Sequence, residues 1–106
     1  MAMDVEVIAV WDLMEMQRSE DLILIDVRDK EEFEKNHIEK ALNIPYEEVM
    51  KHEIWNTKGK KIVLYCERGN TSLMLVKELA EKGIAVKSLF GGIRAYESFK
   101  SKLKKI

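Results

Sequence analysis

Apolar residues in this chain follow two rhythms. "LILIDV" (22–27) and "KIVLY" (61–65) are almost uninterrupted apolar runs, as expected for strands buried on both faces. "AVKSLF" (85–90) is a third strand candidate, and "ALNIP" (41–45) a short strand stopped by Pro45. "VEVIAV" near the start predicts an edge strand before a short helix at 10–18. Between the strands the spacing turns helical. "DKEEFEKNH" (29–37) is charged and short, enough for one or two turns. "YEEVMKHEIWN" (46–56) spaces Val49, Met50 and Ile54 for a helix, with Gly59 breaking the chain after it. "TSLMLVKELAEKG" (71–83) places Leu73, Val76, Leu79 and Ala80 on one face, with Gly83 as its C-cap. "GGIRAYESFKSKLKKI" (91–106) closes with a helix whose last turn carries Lys102, Lys104 and Lys105, favourable at the negative end of the helix dipole.

Strands alternating with helices at this spacing predict an α/β domain, residues 1–106, around a largely parallel sheet. Sites in such folds form at the carboxyl ends of the strands. Asp26 stands after "LILI" and Cys66 after "IVLY", so chemistry is expected there. Composition narrows the class. With 106 residues, 46% of them hydrophobic and 35% charged, the chain suits one core without disorder or repeats. A net charge of −1 argues against a nucleic-acid-binding surface. No apolar run approaches the roughly 20 residues that span a bilayer, and the acidic N-terminus lacks the features of a secretory signal. The single cysteine allows no intramolecular disulfide and lacks partners for zinc. A cytoplasmic protein without membrane or nucleic-acid partners is expected.

On position alone, a lone cysteine at a strand end is a small buried hydrophobe. The residues after it alter that reading. "CERGNTS" (66–72) joins a strand to a helix, and successive backbone N–H groups in such a tight loop can form an anion-binding nest, to which the helix N-terminus adds positive charge. Gly69 permits backbone angles that a side chain forbids, Asn70 tolerates the left-handed region, and Thr71 or Ser72 can cap the helix. Helix N-termini and nearby cations favour the thiolate of a cysteine; Arg68 is a candidate cation.

Three ordered segments extend this pattern over nearly the whole chain: "LIDVRDKEEFEKNHIEKALNIP", "IVLYCERGNTS" and "GIAVKSLFGGIRAY". Together they resemble the rhodanese-like domains in their single-domain sulfurtransferase form. The resemblance implies a three-layer fold with helices on both faces of the sheet. It implies that Cys66 accepts a sulfane sulfur from thiosulfate or a polysulfide as a persulfide. Cyanide, a thiol or a protein acceptor would then take that sulfur, without metal or organic cofactor. Residues 66–71 would cradle the persulfide through their N–H groups, with the Thr71 and Ser72 hydroxyls nearby. Arg68 stands where relatives carry a basic residue that attracts thiosulfate, whereas Glu67 departs from their doubly basic version. Asn36, where glycine is usual, and Tyr96, where tryptophan is common, are smaller departures. The same resemblance allows another role, a persulfide carrier or noncatalytic binding module that docks to a sulfur-trafficking partner. Related phosphatases and arsenate reductases use a longer Cys-x5-Arg loop, whose Arg clamps phosphate. The sixth residue after Cys66 is Ser72, so that clamp is missing.

Other chemistry-bearing residues have structural readings. Asp26 and Arg28, two apart in a strand, point to the same side and are expected to pair and fix the loops around the site. His37 fits packing and hydrogen bonding, and His52 a charged surface. Asp29–Glu34 reads as a solvated helix face. Trp11 and Trp55 are expected in the core or partly covering it, and Met14, Met16, Met50 and Met74 as core fillers.

Overall fold

The computed structural model describes residues 6–19, 21–53, 55 and 59–104. Among these, strands and helices alternate along the chain: β1 (Val7–Ile8), α1 (Val10–Met16), β2 (Leu22–Asp26), α2 (Lys30–Lys35), β3 (Leu42–Asn43), α3 (Tyr46–Val49), β4 (Lys61–Tyr65), α4 (Asn70–Glu81), β5 (Lys87–Leu89) and α5 (Gly92–Leu103). The strands form one parallel sheet in the order β1-β5-β4-β2-β3. The central pair, β2 and β4, runs in register from Leu22 opposite Lys61 to Asp26 opposite Tyr65. From β2 the chain next adds a strand on one side of this pair, and from β4 on the other. The strand order therefore reverses between them, where an open α/β sheet leaves a crevice at its carboxyl edge. Cys66 follows β4 at that edge.

Side chains alternating across the strands fill two separate cores, as expected for a sheet with helices on both faces. Val63 and Tyr65 join Leu24 and Leu89 beneath α1 and α5, where Leu13, Ile93 and Tyr96 cover them. Ile62, Leu64 and Cys66 face the other way, with Ile25, against Val49 of α3 and Leu75, Val76 and Leu79 of α4. The alternation thus turns the thiol toward α4. Among the described residues, no helix is long and apolar enough to cross a membrane.

Several expected details change. The helix expected over 46–56 is a single turn, Tyr46–Val49; Ile54 and Asn56 lie outside the described residues. Its backbone closes in three-residue steps, Lys51 N–H to the Glu48 carbonyl and His52 N–H to the Val49 carbonyl, the tight pattern that ends helices. The buried face of α4 is Ser72, Leu75, Val76 and Leu79, not the predicted Leu73, Val76, Leu79 and Ala80. Leu73 is half-buried and Ala80 exposed. A serine at the first inward position hides the true register from a hydrophobic pattern. Trp11 and Met74 are exposed, at 64% and 45%. Trp11 instead lies tilted against Phe99 over the outside of α1 and α5.

Candidate active site

Helix α4 starts at Asn70, and the residue before it is Gly69, in the left-handed region at φ 103°. Gly69 is therefore the cap, and neither Thr71 nor Ser72 serves as one, while Asn70 is already helical. A left-handed turn here bends the chain back so that the loop's own N–H groups face inward. Gly69 N–H donates to Cys66 Sγ at 3.1 Å and Ser72 N–H at 3.3 Å. The Ser72 hydroxyl lies 3.5 Å from the sulfur and 2.7 Å from the Ser88 hydroxyl. Both serines are buried, and Cys66 is 6% exposed. The Ser72 hydroxyl donates to the Gly69 carbonyl at 3.3 Å; with Ser88 donating to Ser72, its proton can turn from that carbonyl to a sulfur anion. Charge on this sulfur thus meets two fixed donors and one rotating donor.

The loop is held from behind by a second glycine turn. Gly91 and Gly92 both take positive φ at the start of α5. Ile93 N–H donates to the Cys66 carbonyl at 2.9 Å and Arg94 N–H to the Glu67 carbonyl at 3.1 Å. The first free donors of α5 thereby satisfy the loop's carbonyls, while the loop's amides remain for the sulfur. Contact is close: a Cβ on Gly69 would lie 3.0 Å from the Gly91 nitrogen, and one on Gly92 2.4 Å from the Cys66 carbonyl oxygen.

Asp26 and Arg28 meet beside the loop. The Arg28 guanidinium reaches Asp26 through Nε and Nη2, with Nη2 at 2.9 Å from Oδ2. The Arg28 backbone N–H donates to Asp26 Oδ1 at 2.8 Å, and Nη2 also bonds the Asn36 carbonyl at 2.6 Å. Burial by itself would lower the basicity of Arg28, but the hydrogen bonds and charge of Asp26 more than offset it and hold the guanidinium above its usual value. Arg28 Nη1 then reaches Glu67 Oε1 at 3.3 Å, and Glu67 Oε2 lies 3.5 Å from Arg94 Nε. Four alternating charges, Asp26, Arg28, Glu67 and Arg94, therefore tie the end of β2 to the loop and to α5. Tyr65 supports the same corner: its hydroxyl accepts from Ile38 N–H at 3.0 Å, and burial, with Asp26 alongside, pushes its phenol well above its usual value.

The remaining site candidates lie at the rim. Arg68 is exposed and forms no ion pair among the described residues, Asn70 is exposed, and Thr71 is half-buried. Ser72 occupies the position of the phosphatase clamp and carries no charge. His37 is exposed, stacks on Phe33 and bonds the Phe33 carbonyl with Nδ1. Sequence reading missed Ser88, Gly91, Gly92 and Arg94 as parts of the site. Ser88 had one signal, a hydroxyl between Val86 and Leu89 in an apolar strand. A hollow of about 440 Å³ opens at the other end of the sheet, among Lys61, Ile62, Val76, Ile84 and Val86. The thiol end is defined by its loop.

Residues 10–99 match the family model described as "Rhodanese-like domain". The chain is 29% identical over 89 residues to a thiosulfate sulfurtransferase, GlpE, of Coxiella burnetii, covering 83% of this chain and 80% of that protein. It is 35% identical over 78 residues to a tRNA sulfurtransferase of Desulfurococcus amylolyticus, covering 74% of this chain but only 15% of that protein. Among solved structures, a rhodanese-related protein from Thermoplasma volcanium superimposes with a TM-score of 0.75 at 28% identity, over 88% of this chain and 91% of that one.

Proposed function

The chain belongs to the rhodanese-like domain family, and we propose that it transfers sulfane sulfur through a persulfide on Cys66. The carrying observation is the convergence of the Gly69 and Ser72 amides and the Ser72 hydroxyl on the sulfur of the chain's one cysteine. In the first step the Cys66 thiolate attacks the outer sulfur of a donor. A new S–S bond forms, the donor's S–S bond breaks, and the leaving group, sulfite when the donor is thiosulfate, departs with the electron pair. The persulfide then carries its charge on the outer sulfur, within reach of the nest. In the second step a thiolate or cyanide attacks that outer sulfur, and Cys66 leaves as thiolate. Sulfur changes hands without net oxidation, so no metal or organic cofactor is required. The amides are in place before reaction and need not reorganise as charge moves along the S–S axis.

A second reading has the same persulfide carried to a protein partner, with little turnover on small donors. The likeness to a minor part of a much larger tRNA sulfurtransferase favours considering it. Intact mass spectrometry tests both. Reduced protein incubated with thiosulfate or a polysulfide should gain one sulfur, which cyanide removes, and Cys66→Ser should gain none. Fast multiple turnover identifies the enzyme, and stoichiometric loading alone the carrier. Failure of both donors to modify Cys66 would refute sulfur transfer.

A further inference from the structure

Charge at the mouth of the loop carries a consequence for the donor. Arg28, Arg68 and Arg94 are the cations brought to the catalytic loop. Arg28 is already committed to Asp26, and Glu67 bridges it to Arg94. Asp26, Arg28, Glu67 and Arg94 therefore sum to zero. Of the three arginines, Arg68 forms no ion pair among the described residues and is left to meet an incoming anion, beside a Glu67 carboxylate that is itself 44% exposed. Attack by the Cys66 thiolate on thiosulfate brings three negative charges together. Attack on a singly charged sulfane sulfur brings two. One unpaired guanidinium and two amides suit the second case.

Resting on the sulfur-transfer reading above, we propose that Glu67 is a specificity determinant that makes this site select singly charged sulfane-sulfur donors, organic persulfides, over doubly charged thiosulfate. The step balances as RS–S⁻ plus Cys66–S⁻ giving Cys66–S–S⁻ plus RS⁻. The bond to Cys66 forms as the donor's S–S bond breaks, and the released thiolate keeps the electron pair.

The probes are thiosulfate and the methanethiosulfonate anion, which share the reacting sulfur and differ by one charge. The ratio of their kcat/KM values is measured in the wild type, Glu67→Gln, Arg94→Gln and the double variant. Removing the carboxylate should raise the thiosulfate-to-methanethiosulfonate ratio about tenfold at low salt, mostly through KM. Removing the Arg94 charge should lower it, and the double variant should return toward the wild type. Because mouth charges are screened, each change should shrink at about 1 M salt. Loosening of the loop would instead slow both donors alike, at either salt. A ratio in Glu67→Gln within about twofold of wild type at low salt, or a shift indifferent to salt, overturns the assignment while leaving sulfur transfer standing. No sulfur on wild-type Cys66 from either donor overturns both.

Discussion

Replacing Gly92 with alanine puts a methyl group where the structure has two carbonyls. The added Cβ would fall 2.4 Å from the Cys66 oxygen and 2.5 Å from the Glu67 oxygen, both backbone atoms of the loop that follows β4. It would also sit on a residue at φ 63°. The left-handed strain costs about 1 kcal/mol, and forcing an extra methyl into a packed contact roughly 1–3 kcal/mol. If the loop gives way, the Ile93 and Arg94 amide bonds lengthen, each worth about 1 kcal/mol net. A loop that gives way relieves the crowding, which leaves the packing cost at the low end of its range and the total at about 4 kcal/mol; this lies below the usual stability of a small domain, about 5–15 kcal/mol, so the variant should still fold at room temperature. Gly83 provides the control. It too has positive φ, at 83°, but its Cβ would meet nothing within 4 Å. Gly83→Ala should therefore lose only the strain, about 1 kcal/mol, or a Tm lower by roughly 4–8 °C. Gly92→Ala should lower Tm by roughly 15–30 °C. Its sulfur uptake, measured by mass spectrometry where both proteins are folded, should slow about a hundredfold, because the amides no longer aim at Sγ. Equal melting of the two variants, with wild-type loading by Gly92→Ala, would refute the idea that α5 holds the loop.

Other changes probe the supports of the site. Ser72→Ala removes the hydroxyl beside the sulfur and strands the buried Ser88 hydroxyl. Persulfide formation should fall about tenfold and stability by about 1–2 kcal/mol, read by loading kinetics and urea unfolding; unchanged loading would exclude the hydroxyl from the chemistry. Tyr65 is ionised less readily in the folded chain than when unfolded. Its raised value contributes stability that is complete below about pH 10, the unfolded value, and is lost as pH rises above it. Alkaline stability curves should therefore fall more gently for Tyr65→Phe than for the wild type, and identical slopes would show that Tyr65 contributes no such linkage.

Residues 22–27 and 61–65 read as buried strands because continuous apolar runs need cover on both faces, and a parallel α/β sheet supplies it. Cys66 and its glycine turn were legible because strand, thiol, glycine and helix follow one another in the chain, so local geometry alone suggests the nest. What sequence hid is long-range. Ser88 enters through β5, which only sheet pairing places beside β4. Gly92 matters because another loop packs against it, and nothing within "FGGIR" reveals that contact. The exposed Trp11 shows the converse: an apolar residue near the chain start lacks a place in the core when Leu13 already fills the inward position of α1. For Glu67 and Arg94 the charges were visible, but only the fold brings them together with Arg28. The alternating elements and the candidate thiol could be read along the chain, since period and adjacency are local properties. Tertiary structure decided what surrounds that thiol, because its hydroxyl relay, its backing glycines and its charge balance come from segments that meet only when the sheet is assembled.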